Sequence, residues 1–149
     1  MATLPALLRK KNTIDDRWFK HEDVFLAFKR PILEKYEIAN SPGKIKTLAG
    51  VMSYPSGCYI LTGTRGEQYL LPVEKFRELK DDHYNGTCTP KKVLTSVRLA
   101  DHTGGVITQY GELIYTENRD YVVKHGENDY EIVKADIFEL TYKIYFAFA

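Results

Sequence analysis

The sequence predicts an α+β fold: two β-rich repeats packed pseudo-symmetrically, with one N-terminal helical insertion and short helical turns. Three observations predict it. From residue 44 onward the chain is filled with short runs of β-branched and aromatic residues broken by Gly and Pro. Gly50-Val51-Met52-Ser53-Tyr54 lines up with Gly111-Glu112-Leu113-Ile114-Tyr115 at an offset of 61 residues, and Tyr59/Tyr121, Gly66/Gly126, Tyr69/Tyr130 and Phe76/Phe138 follow at 60 to 62. Between Arg17 and Asn40, residues Trp18, Val24, Phe25, Phe28, Ile32, Leu33 and Tyr36 recur at helical spacing.

In chain order, Met1–Leu8 is apolar and Arg9-Lys10-Lys11 follows. Asp15-Asp16 supplies N-caps for a helix over about 17–40, which Pro31 kinks near Phe28–Arg30 and Asn40-Ser41-Pro42-Gly43 stops. Strands are then expected at Lys44–Leu48, Val51–Tyr54, Tyr59–Thr62 and Gln68–Leu71, the last two forming a hairpin. Pro72 opens a short helix, Val73–Leu79, with Glu74 in its first turn. Lys80–Thr89 is polar and reads as the linker. Further strands are expected at Lys92–Leu99, Gly105–Gln109, Glu112–Thr116, Asp120–Lys124 and Asp129–Val133, then a helical turn at Asp136–Leu140 and a terminal apolar strand, Tyr142–Ala149.

The repeat divides the chain into residues 1–82 and 83–149. Lys10-Lys11 matches Lys91-Lys92 at an offset of 81, so copy one holds 20 extra residues, about the length of the helical segment. In copy two, Asp101–Gly105 stands in its place as a tight turn. Units this short bury little core alone, so the two copies are expected to share one.

The 149 residues carry 44% hydrophobic side chains and a net charge of +1, which excludes a general electrostatic attraction to nucleic acid or membrane. The charge is polarised: residues 1–80 sum to +5 and residues 81–149 to −4. No apolar run approaches the roughly 20 residues of a membrane span. Met1–Arg9 lacks the basic start of a secretory signal, so a cytoplasmic protein is expected. Cys58 and Cys88 have neither scaffold nor metal spacing and read as free, buried thiols.

Both copies carry letters of a known pattern. The first has Pro55, Gly57, Tyr59, Thr62-Gly63, Gly66-Glu67, Tyr69 and Phe76; it inserts Ser56 and carries Cys58 where the pattern has Asp. The second has Asp120-Tyr121, Gly126-Glu127, Tyr130, Lys134, Asp136-Ile137-Phe138-Glu139 and Thr141-Tyr142, without the Pro-Gly. With these residues the chain resembles the PGDYG family, small proteins common in phage and prophage genomes. The resemblance implies a small β-rich unit of mobile-element origin, and it brings no catalytic residue with it.

Motifs with chemical potential have plainer readings. Gly63-Thr64-Arg65-Gly66-Glu67 lacks the Lys-Ser/Thr and helix of a phosphate loop and reads as a hairpin turn. His21, His83, His102 and His125 show no metal-ligand spacing and read as surface turn residues; no catalytic residue, metal site or cofactor is expected. Glu67 and Glu127 read as solvated partners of basic residues. Arg9, Lys10, Lys11, Lys44 and Lys46 near Trp18 and Phe19 read as a solvated face, with a weak nucleic-acid site as a remote alternative.

The resulting expectation is a non-enzymatic interaction protein, a phage-derived host-interaction or anti-defence factor whose partner is another protein. The alternative is a binding protein for a nucleotide, metabolite or other small anionic ligand, with its pocket between the repeats. Binding residues are expected among Tyr59, Tyr69, Tyr121, Tyr130, Arg9, Lys10, Lys11 and Arg65. Self-association is expected, if at all, through the C-terminal strand.

Overall fold

A computed structural model describes residues 14–146 of the chain. The elements are β1 (Phe25–Lys29), β2 (Glu34–Ile38), β3 (Gly43–Thr47), β4 (Gly50–Tyr54), β5 (Tyr59–Thr62), β6 (Gln68–Leu71), α1 (Val73–Leu79), β7 (Lys80–Asp82), β8 (Thr87–Pro90), β9 (Thr95–Leu99), β10 (Gly104–Thr108), β11 (Gly111–Tyr115), β12 (Asp120–Gly126), β13 (Asp129–Lys134), α2 (Ala135–Thr141) and β14 (Tyr142–Ile144). The fold is therefore α+β and mostly β, as the alternating apolar runs require.

The expected helix over about 17–40 is absent. That stretch folds as a turn at Asp15–Asp23 followed by β1 and β2. Asp15 accepts from the backbone N–H of Arg17 and Trp18, closing the turn. Pro31 removes a helix donor, and Ile32 N–H instead reaches back to Arg30 O over 2.7 Å. The apolar residues that mimic a helical stripe serve different faces. Ala27 is buried on one side of β1, Leu26 is exposed on the other, and Phe25 packs edge-on to Tyr121 and Phe138. The expected helical insertion is thus not present over residues 17–40. The Asp101–Thr103 turn connects β9 to β10 much as residues 39–42 connect β2 to β3.

Two five-stranded sheets dominate, with strand orders β6-β5-β2-β8-β7 and β13-β12-β9-β1-β14, every neighbour antiparallel. Each order runs through the same succession: the two strands before a helix, an earlier strand, a strand from elsewhere in the chain, and the strand after the helix. Those fourth strands cross over: β1, early in the chain, lies in the second sheet, and β8, past residue 82, lies in the first. The sheets therefore do not divide at that residue. Registers also coincide: Tyr59 faces Ile38 and Leu71, and Tyr121 faces Leu99 and Val133. By the same ladders Leu61 faces Tyr69 while Val123 faces Glu131, so the counterpart of Tyr69 is Glu131. The expected match of Tyr69 with Tyr130 is one residue out, and one residue is enough to change faces.

Two two-stranded hairpins, β3–β4 and β10–β11, complete the fold. Ser53 N–H donates to Tyr110 O, and Ile114 N–H to Ala49 O, each over 2.8 Å. Glycines permit this approach. Gly50 and Gly111 sit at φ +151° and +139°, and a Cβ on Gly50 would lie 2.8 Å from Glu112 O.

Among the described residues the core comprises three clusters. One joins Ile14 and Phe19 to Ala100, Val106, Tyr115, Val122 and Tyr130. Another joins Ala27, Val97 and Val123 to the inner face of α2. The third, around Leu61, Phe76 and Cys88, lies beneath α1. Aromatic stacking fixes each helix on its sheet: Tyr59 on Phe76 at 4.1 Å, Tyr121 on Phe138 at 4.3 Å.

Candidate functional site

The edge strands β6 and β13 line a cavity of about 570 Å³, with Leu48, Ala49 and Met52 of one hairpin and Ile107–Tyr110 and Leu113 of the other. Its walls are mostly apolar, adding Leu70, Leu71, Ile132, Val133 and Ile137. Both sheets contribute.

Part of the lining belongs to a buried polar cluster. Lys80 Nζ lies 2.6 Å from Glu34 Oε1 and 2.7 Å from the Tyr69 hydroxyl. That hydroxyl donates to Glu34 Oε2 over 2.7 Å and accepts from Lys29 Nζ over 3.1 Å. Lys29 Nζ also sits 4.4 Å above the Tyr69 ring. Across the junction, His125 Nε2 is 2.7 Å from Glu131 Oε1. An ionised carboxylate only accepts, so this nitrogen carries the proton.

The chain crossing builds this cluster. Lys29 ends β1 in the second sheet, Glu34 opens β2 in the first, and Arg30–Leu33 bridges them. Lys29 pairs with Tyr142, and Glu34 with Cys88. Alternation then turns Tyr69, Lys80, Glu131 and Tyr142 toward the same interior.

Burial and mutual attraction set the protonation states. Burial, reinforced by Lys29, pulls Lys80 down to about 8 against the attraction of Glu34. Burial would raise Glu34, but Lys29 and Lys80 outweigh it and leave the carboxyl lowered. Burial also opposes ionisation of Glu131, yet Lys29 and the His125 hydrogen bond draw it down to about 2. Lys29 is raised, since Glu34 and Glu131 outweigh its desolvation. Burial and the two carboxylates hold the Tyr69 and Tyr142 phenols well above their ordinary value. The two lysines and two glutamates thus balance.

Adjoining the cavity is a recess of about 30 Å³ that shares Lys29, Tyr69, His125, Glu131 and Tyr142 with it and adds Lys80 and Thr95. His125 Nδ1 and the Tyr142 hydroxyl are enclosed without a hydrogen bond of ordinary geometry, although Glu131 lies near enough to the phenol to raise its pKa.

The residues expected from sequence fall in different places. Tyr69 and Tyr130 line the cavity. Tyr59 and Tyr121 pack against the helices instead. Arg65 stands in the β5–β6 turn, 3.5 Å from Asp136 of α2. Arg9, Lys10 and Lys11 lie outside the described residues. Gly63–Glu67 forms a hairpin turn in which the Glu67 carboxylate accepts from Arg65 N–H. His125 is a half-buried strand residue, not a surface turn residue, because β12 runs on to Gly126. Cys58 and Cys88 are free and buried; burial raises both thiols, Cys88 to about 11, which keeps them unreactive. Among the described residues no three His, Cys, Asp or Glu side chains are grouped to hold a metal. No helix there is long and apolar enough to cross a membrane.

Sequence reasoning missed Lys29, Glu34, Lys80, Glu131 and Tyr142. One signal was present. Read as a strand, Glu34-Lys35-Tyr36-Glu37-Ile38 places Glu34 on the face of Tyr36 and Ile38, an acid among apolar residues. Comparison with protein-family models, with curated proteins and with solved structures finds no match to this chain.

Proposed function

We propose that this chain is a small-molecule binding protein, built from a duplicated unit whose two copies enclose the ligand between them. The observation that carries the reading is the cavity: about 570 Å³, walled by apolar residues of both halves, with convergent polar groups in its lining. Ligand sites typically occupy about 300–1,000 Å³ with this mixture of apolar wall and few polar contacts. The duplication is supported by the matching strand orders, the matching registers around Tyr59 and Tyr121, and the paired hydrogen bonds joining the hairpins. In this reading each copy lends its first strand to the other's sheet, β1 to the second and β8 to the first. The PGDYG-like letters at Tyr59, Tyr121, Phe76 and Phe138 agree with it.

Thermal-shift measurement against a panel of nucleotides and metabolites tests the reading. A site-specific ligand raises the melting temperature in proportion to its saturation, by about 2.7 kcal/mol of stability at a hundred times its Kd. Leu70→Trp, which fills the cavity, is expected to abolish that shift. No shift with any compound, or a shift that survives the filled cavity, overturns the reading.

A second reading, docking of a partner protein, rests on the outer face of the hairpins. Val51 is more than half exposed there, and Ile114 nearly so; neither lines the cavity. Val51→Asp on that face is expected to abolish capture of such a partner while sparing small-molecule binding.

A further inference from the structure

We infer that the ligand of the cavity is a short apolar peptide, held extended between the edges of β6 and β13 as a strand that joins the two sheets. The inference rests on the small-molecule reading above and names the ligand's chemistry.

The lining shows which part of each strand meets the cavity. Side chains of a strand alternate between its two faces, so a space beside one face meets every second residue. Here all of Gln68–Leu71 lines the cavity, and so do residues 130–133. Consecutive residues share one space only along a strand's edge. β6 and β13 are the edge strands of their sheets, paired with β5 and β12 on their other side.

Register decides which backbone groups face it. The hydrogen bond from Gly63 N–H to Glu67 O extends the β5–β6 ladder, so the hydrogen-bonded pairs are Leu61 with Tyr69 and Tyr59 with Leu71. Leu70, between them, turns its N–H and C=O away from β5. The bond from Ala135 N–H to Arg119 O sets the β12–β13 ladder in the same way, so Ile132 turns its N–H and C=O away from β12. Neither residue has a backbone partner on that side among the described residues. The two occupy matching ladder positions, 62 residues apart.

Backbone N–H and C=O groups facing an apolar space call for partners. An extended chain supplies a donor and an acceptor to both edges at once, because successive residues turn their N–H and C=O to one side and then to the other. The flanks set its side chains. Val133 packs toward α2 and Ile132 toward the β10–β11 hairpin, so the cavity lies between a helix layer and a hairpin layer. Leu79 and Ile137 line it from the helices, Met52 and Leu113 from the hairpins. A strand seated there sends its side chains alternately to these two apolar layers, which selects apolar residues on both of its faces. β6 offers four residues of edge, so the seat takes a peptide of about three or four residues.

Three probes test this on the whole chain: acetyl-valyl-alanyl-valinamide, the same compound with lactate in place of alanine, and 2-methylnaphthalene. Calorimetry gives affinities, and amide hydrogen exchange gives a second readout. Lactate keeps the shape and replaces one N–H by an ester oxygen. The peptide is expected to bind about tenfold tighter than the ester, which leaves one edge acceptor unpaired. It is also expected to slow exchange of the Leu70 and Ile132 amides about tenfold beyond any slowing by 2-methylnaphthalene. Leu70→Pro removes a donor that lies outside the ladder, a change that edge strands accept, and is expected to weaken the peptide about tenfold while leaving 2-methylnaphthalene unchanged. Equal affinity of peptide and ester, or peptide binding without protection at Leu70 and Ile132, overturns the strand assignment. Binding of 2-methylnaphthalene alone keeps the cavity and overturns the peptide. Failure of all three to bind overturns both readings.

Discussion

The two five-stranded sheets share a strand order but differ where they meet. At matching ladder positions the first sheet carries Glu34, Tyr69 and Lys80, and the second carries Thr95, Glu131 and Tyr142. One framework thus presents Glu34 and Lys80 on one side of the junction and Lys29 and Glu131 on the other, at ladder positions that do not correspond. The backbone pattern requires only that these side chains point inward; their chemistry is free to diverge. That freedom turns a structural joint into a site with direction, because a ligand lying across it meets different groups at each end.

The sharpest break of this comparison is at Glu34 and its counterpart Thr95. Glu34→Ala leaves Lys80 and Lys29 buried without their shared carboxylate, and breaking a buried ion pair from one side costs about 3–5 kcal/mol. Thr95→Ala removes one hydrogen bond, to Ala27 O, at about 1 kcal/mol. Urea denaturation of the two variants measures the difference. Equal losses would mean that the cluster contributes nothing specific. Glu34→Leu combined with Lys80→Met is expected to recover much of the loss, since an apolar replacement of a buried pair is often nearly neutral and Lys29 keeps the attraction of Glu131.

A second contrast lies on the outer flank. The second sheet is braced by the turn at Asp15–Asp23, where Phe19 stacks on Tyr130 and the Trp18 carbonyl accepts from Arg98. Arg98 also lies 4.3 Å from the Trp18 ring and 2.8 Å from Asp101. Trp18→Ala is expected to cost about 2–3 kcal/mol, less than a fully buried tryptophan because the ring is only partly covered. Hydrogen exchange should then quicken in β9 and β12 while β2 and β5 stay protected. Uniform loosening of both sheets would show that the brace serves the whole fold.

These contrasts explain what could be read from residues alone. Tyr59–Thr62, Gln68–Leu71 and Val73–Leu79 match the structure because each is bounded by Gly or Pro and has one period. Trp18 through Tyr36 misled because helical and strand spacing overlap when a chain alternates, turns at a proline and alternates again. The offset of 61 was legible, but assigning Tyr69 to Tyr130 was not safe, since both arms of the hairpin keep an offset of 62 and a chance tyrosine next to Glu131 hides the one-residue slip. The polar cluster was the least visible feature. Lys29 and Glu34 lie five residues apart yet belong to different sheets, and only the crossing between them brings Lys80 and Glu131 near.

Acid tests the junction from the other side. Glu131 falls from an ordinary 4.5 to about 2 in the folded chain, and Glu34 is also lowered. A carboxyl lowered by folding adds stability above its unfolded pKa and loses it as pH drops through the folded one. Stability should therefore decline between about pH 4.5 and pH 2. Glu131→Gln should flatten that decline. Thermal melts across the interval give the slopes.

The smallest expected effect sharpens the comparison where the halves agree. Thr47 Oγ1 donates to Gly50 O over 2.6 Å and accepts from Ala49 N–H over 3.2 Å. Thr108 Oγ1 donates to Gly111 O over 2.8 Å and accepts from Tyr110 N–H over 3.2 Å. Each hydroxyl closes its hairpin in the same way, so Thr47→Val and Thr108→Val should each cost about 1 kcal/mol, alike within a few tenths. The Ala49 and Tyr110 carbonyls also carry the hydrogen bonds that join the hairpins, so the two losses should not be independent. A double-mutant cycle is expected to show coupling above about 0.5 kcal/mol, whereas strict additivity would mean that each hairpin holds its tip alone.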